Sequence, residues 1–71
     1  MTNTSKLQPH QQRVVDEQKE LLVKIRKLEN FTAEDIFDDL PLIERLTLEN
    51  QLEVMYLYSN LLSQRISLFN N

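Results

Sequence analysis

The sequence predicts an all-α protein, an antiparallel two-helix hairpin with a short connecting helix that self-associates into a helical bundle. Three observations carry that expectation. The 71 residues include no glycine, so few positions reach positive φ cheaply and tight β-hairpin turns are disfavoured. The two prolines, Pro9 and Pro41, each precede a strongly helical pattern, where a missing N–H is harmless. Two long stretches repeat apolar residues at alternating spacings of four and three.

The first helix is expected from Pro9 to about Glu29. Val14, Gln18, Leu21, Ile25 and Leu28 form its seam, which Val15 and Leu22 widen on one side. Gln18 is the one polar member. Its amide either reaches water at an edge of the packing or fixes register by hydrogen-bonding across the seam, because an amide buried without partners is costly.

Asn30-Phe31-Thr32-Ala33-Glu34-Asp35-Ile36 is expected to stop one helix and start another. Thr32 is a candidate cap, Glu34 and Asp35 place negative charge at a positive helix end, and Phe31 can staple against Ile36. A short helix from Ala33 to about Asp38 should follow, with Phe37 and Leu40 folding over the end of the hairpin. Pro41 then disfavours helical geometry at Leu40 and releases the chain into a final helix that ends near Leu68.

Leu48, Leu52, Met55, Leu62, Ile66 and Phe69 share one face of that helix, with Ser59 as the small member and Tyr58 on the margin. Together with Val14, Leu21, Ile25 and Leu28 they are the expected hairpin core. A second strip, Ile43, Val54, Leu57, Leu61 and Leu68, lies about 180° to 240° round from Leu48 at 100° per residue. One partner helix cannot cover both faces, so the second strip is the expected oligomer interface. The competing reading has the connector and the N-terminal arm covering it. The expected organisation is a flexible arm over residues 1–6, one helical-hairpin domain over 7–69 and a frayed end at 70–71.

Bulk properties narrow the function classes. So short a chain buries too little surface to be comfortably stable alone, and without cysteine it has no disulfide or thiolate site to help. Oligomerisation is the remaining common route. No apolar run approaches a membrane span and the N-terminus is polar, which together lead to the expectation of a cytoplasmic protein without membrane contact. A net charge of −3 argues against a dedicated nucleic-acid binder. Charge is also divided along the chain: bases outnumber acids from Leu7 to Leu28, whereas only Arg45 interrupts eight carboxylates from Glu29 to Glu53.

No histidine-dependent triad, phosphate loop or HExxH pattern is present, so no enzyme, metal or cofactor is expected. Asp35, Asp38 and Asp39 lack the spacing and glycine of a calcium loop. The best small-molecule candidates lie at the open end of the hairpin. His10 and Arg13 adjoin the first-turn N–H groups and positive dipole end of the first helix, which suits an anion. Arg65 follows Tyr58 by seven residues, can stack on an aromatic ring or hold phosphate bidentately, and shares that end if the helices are antiparallel.

The run Leu7-Gln8-Pro9-His10-Gln11-Gln12-Arg13-Val14-Val15-Asp16-Glu17, with Leu21 and Lys27-Leu28 after it, carries a resemblance. So does Gln51-Leu52-Glu53-Val54-Met55 through Tyr58 to Arg65-Ile66. From Leu7 to Phe69 the chain resembles a family of short phage and prophage proteins grouped with an uncharacterised protein of crAss-like phages. In size and helical pairing it is also similar to the helical-hairpin proteins that phages use to sequester cyclic-nucleotide immune signals. The first resemblance says little about activity; taken with the surplus apolar helix surface, it points to a phage accessory protein that works by binding, against a host defence component, without catalysis. The second implies an oligomeric sponge for a phosphate-containing or cyclic-nucleotide signal, with His10, Arg13, Tyr58 and Arg65 as donor and stacking positions. A small transcriptional regulator is the third reading, weakened by the acidic character of the short second helix.

Overall fold

The computed structural model describes residues 7–70. The expected arm over residues 1–6 and the terminal Asn71 lie outside the described residues. Three helices follow in order, α1 (Pro9–Thr32), α2 (Asp35–Asp38) and α3 (Leu42–Ser67), and a 3-10 turn (Leu68–Asn70) closes the chain. The two long helices are antiparallel neighbours, and α2 joins them at one end. The molecule measures 49 × 18 × 16 Å, with a radius of gyration of 15.9 Å. A compact chain of this length would have a radius of about 11 Å.

Local sequence explains each start. Gln8 takes an extended conformation ahead of Pro9, and its N–H donates to Gln11 Oε1 at 2.9 Å, closing the first turn of α1. Pro41 is itself the extended cap of α3, its carbonyl accepting from the Glu44 and Arg45 N–H groups, with Glu44 in the positive first turn. The stops reflect the missing glycine. No described residue has positive φ. Ala33, Asp39 and Leu68 all cap their helices in right-handed geometry, with each cap N–H donating to carbonyls two and three residues back.

The first stop differs from expectation. α1 runs on to Thr32, and α2 begins at Asp35 with Glu34 as its cap. Thr32 does not cap α2: its hydroxyl donates back to the Glu29 carbonyl at 2.8 Å, inside α1. With no glycine or proline between Glu29 and Leu40, nothing in the local sequence terminates the helix there. Phe31 likewise finds a different companion. Its ring meets Phe37 edge to face, with centroids 6.0 Å apart at 85°, whereas Ile36 is exposed. Phe37 is buried and closes the connector end, and the Arg45 Nε–H donates to the Leu40 carbonyl at 3.2 Å to tie α3 to the connector.

The core is narrow. Val14, Ile25, Phe37 and Leu62 are its buried apolar side chains, and Leu62 alone has 0% exposure. Leu21 and Leu28 on α1, and Leu48, Leu52, Met55, Ile66 and Phe69 near or on α3, are half-buried along the same seam. Ser59 is buried among them, and its small side chain admits Gln18. Both features weighed for Gln18 are present: the residue lies half-buried at an edge of the packing, and its amide bonds across the seam. Its Nε2 donates to the Ser59 carbonyl at 3.3 Å and to the Ser63 hydroxyl.

Candidate functional site

Those bonds mark the register of the hairpin. Gln18 stands level with Ser59 and Ser63, and both helices rise equally per residue in opposite directions. Five residues back along α1, Arg13 is therefore level with residues 64–68 of α3, which include Arg65. On the same flank of the seam, the Tyr58 hydroxyl donates to Glu17 Oε2 at 2.5 Å. Its phenol is held above the ordinary value, first by this bond, then by desolvation and the Glu17 charge, while Arg65 works in the opposite direction.

The structure thus joins Glu17 to Tyr58, and Arg65 stands two turns further along the same flank of α3, which makes the three a candidate cluster. Arg13 is one turn from Glu17 and His10 two turns from it, so both stand on the cluster's flank of α1 toward the open end. His10, Arg13 and Arg65 are exposed, and Tyr58 is 38% exposed. The ensemble offers two guanidiniums, an imidazole, an aromatic ring and one carboxylate to solvent. Glu17 is the member that spacing alone did not single out. Its signal was its place one turn after Arg13, but linking it to Tyr58 requires the register across the hairpin. A mirror arrangement occupies the other flank, where the Tyr56 hydroxyl donates to Glu29 and its phenol is likewise raised by that bond.

Among the described residues the second strip of α3 adjoins this cluster and is open; the N-terminal arm that the competing reading places over it lies outside the described residues. Ile43, Val54, Leu57, Leu61 and Leu68 range from 54% to 71% exposed. Neither α1 nor α2 covers them, because α1 lies along the opposite seam and α2 is only four residues long. Near its connector end the strip borders a shallow groove lined by Leu40, Ile43, Glu44, Thr47 and Leu48. Among the described residues no three metal-ligating side chains converge, and no helix is long and apolar enough to cross a membrane.

The family model for Sequestin matches residues 8–68. The chain belongs to the Sequestin family. The Sequestin match takes in α1, the connector and nearly all of α3, and with them His10, Arg13, Glu17, Tyr58 and Arg65. No curated protein and no solved structure matches the chain.

Proposed function

We propose that the chain is a non-enzymatic sponge: a self-associating helical hairpin that sequesters a phosphate-bearing, nucleotide-like small molecule. One observation carries this reading. Tyr58 bonds Glu17 at the edge of the seam, Arg65 follows two turns along α3 on the same flank, level with Arg13, and their chemistry divides as a nucleotide requires. Guanidiniums bind phosphate through charge-assisted bonds, a tyrosine ring stacks on a base, and a carboxylate accepts from sugar hydroxyls. The name of the matched family denotes sequestration, which agrees with a site that binds and lacks any recognisable catalytic constellation. In a phage setting, the molecule removed is an immune signal of the host.

Calorimetry against a panel of linear and cyclic nucleotides tests the proposal. The expected result is saturable heat for a phosphodiester ligand that is recovered chemically unchanged after denaturation. Absence of heat and of thermal shift for every nucleotide counts against the sponge, and recovery of a cleaved product counts against its non-enzymatic character. Arg65→Ala should weaken binding about 30-fold, equivalent to about 2 kcal/mol, with helicity unchanged.

The open strip supports a second reading, in which the helical surface engages a host defence protein directly. A regulator that reads DNA is disfavoured physically: α2 is a single turn carrying Asp35 and Asp38, which would repel a phosphate backbone.

A further inference from the structure

The exposed strip is part of a longer pattern. Ile43, Thr47, Asn50 and Val54 are separated by four, three and four residues, and the series continues through Leu57, Leu61, Gln64 and Leu68 at the same alternation. This is a heptad-spaced seam along α3 and into the 3-10 turn, with Thr47, Asn50 and Gln64 as its polar members, on the face turned away from α1. Thr47 fits such a seam because its hydroxyl is already bonded to the Ile43 carbonyl at 2.7 Å, leaving the methyl group to pack. A strict seven-residue repeat over this length suits a left-handed supercoil with another helix.

We propose that the occupant is α3 of a second copy, paired antiparallel about a twofold axis that passes between Val54 and Leu57. Charge complementarity selects this arrangement. In an antiparallel coiled coil each seam position packs beside the complementary position of its partner, and flanking residues on the same side face one another. Centred between Val54 and Leu57, the pairing sets Ile43 beside the partner's Leu68 and Thr47 beside the partner's Gln64. The flank between the strip and the α1 seam carries Glu44, Gln51, Tyr58 and Arg65 at seven-residue intervals. Glu44 then faces the partner's Arg65, and by symmetry Arg65 faces the partner's Glu44, so two opposite-charge pairs form per dimer.

A parallel register offers no such pair and gathers both Glu44 side chains at one end and both Arg65 side chains at the other. Asn50 counts the other way, since its amide meets Leu61 in the antiparallel register and another amide in the parallel one, and the two Glu44–Arg65 pairs are set against that cost. The groove beside Ile43 and Glu44 lies where the partner's Leu68 and Arg65 arrive in the antiparallel pairing. Isologous pairing through a twofold closes the assembly and buries the strip on both copies.

This geometry rests on the proposed self-association and deepens it, because the flank it assigns is the edge of the candidate ligand site. The partner contributes Gln51 beside Tyr58 and Glu44 beside Arg65. Arginine carries five N–H donors, so a bond to Glu44 leaves others for an anion. Each dimer holds two equivalent sites, both incomplete in a lone hairpin.

The test uses the full chain without ligand. Sedimentation equilibrium should find a dimer, with Glu44→Arg and Arg65→Glu each raising its dissociation constant about tenfold through two like-charge contacts. The doubly reversed chain should return to near the wild-type constant, as should an equimolar mixture of the two single variants. A nitroxide on Ser67→Cys, which leaves the charges intact, should report a separation of about 35 Å at 1.5 Å per residue from the twofold. A separation of about 10–15 Å, expected for parallel helices in contact, overturns the proposal, and so does a wild-type monomer or a double variant as weak as the singles. If the double variant dimerises and no nucleotide binds even the wild-type chain, the sponge reading fails while the antiparallel pairing stands.

Discussion

On α3, the face that carries Leu48, Leu52, Met55, Leu62 and Ile66 lies under α1, whereas the face that carries Ile43, Val54, Leu57, Leu61 and Leu68 lies open to solvent. Both faces repeat apolar residues at the spacing of a helix seam. They differ in what the chain supplies opposite them. α1 has one apolar stripe and can serve one face, so its remaining surface carries charges such as Asp16, Lys19 and Lys27. The lesson is that an apolar pattern specifies that a helix will be covered, while the covering element is decided by what lies within reach. For the inner face it is α1; for the outer face the proposal supplies a second copy.

Substitutions that separate the two faces sharpen the comparison. The largest effect is expected from Leu62→Ala, which empties the most enclosed position of the inner seam and should cost about 3 kcal/mol in a urea melt. Leu57→Ala, in contrast, should leave the isolated hairpin nearly as stable and weaken self-association. The dimer constant is expected to rise about 30-fold, from about 1 kcal/mol of lost apolar burial on each of two copies. Equal effects of the two substitutions on monomer stability would erase the distinction between the faces.

Gln18→Ala probes the polar point of the inner seam. It removes two donated bonds to α3, to the Ser59 carbonyl and the Ser63 hydroxyl, and should cost about 1 kcal/mol. Hydrogen exchange should show the change centred on the Gln18 level of both helices. An unchanged melt would mean that apolar packing alone holds the register.

The smallest effect is spectroscopic. Tyr58 and Tyr56 both have phenols raised above the ordinary value, first through bonds to Glu17 and Glu29. A folded value above the unfolded one means that the bond contributes fully below the unfolded value and is lost as pH rises through the folded one. Ultraviolet titration should therefore find both phenolates forming at higher pH than in the unfolded chain. Glu17→Gln should lower the midpoint of Tyr58 and leave that of Tyr56 in place. Equal movement of both would show that the two flanks are not independent.

The long helices and the inner seam were legible because the alternation of fours and threes, from Val14 to Leu28 and from Leu48 to Phe69, belongs to each helix separately. The open strip was legible for the same reason. The connector was less so. Thr32 and Glu34 are both acceptable near a helix start, and without a glycine the place where α1 stops depends on tertiary contact, here Phe31 against Phe37 in place of Ile36. The candidate site was legible in part. Tyr58, Arg65, Arg13 and His10 have side chains suited to an anionic ligand, but Glu17 gains its place only through the bond across the hairpin to Tyr58. Residue spacing within one helix carries no information about that register.

Self-coverage of the outer face of α3 is the claim on which the proposed binding site depends, and sedimentation equilibrium of the wild-type chain beside Leu61→Glu tests it most directly. The wild type should sediment at twice its 8.5 kDa chain mass at tens of micromolar, while Leu61→Glu should sediment as a single chain with its helical circular dichroism intact. A wild-type chain that remains at 8.5 kDa up to high micromolar concentration would contradict the claim.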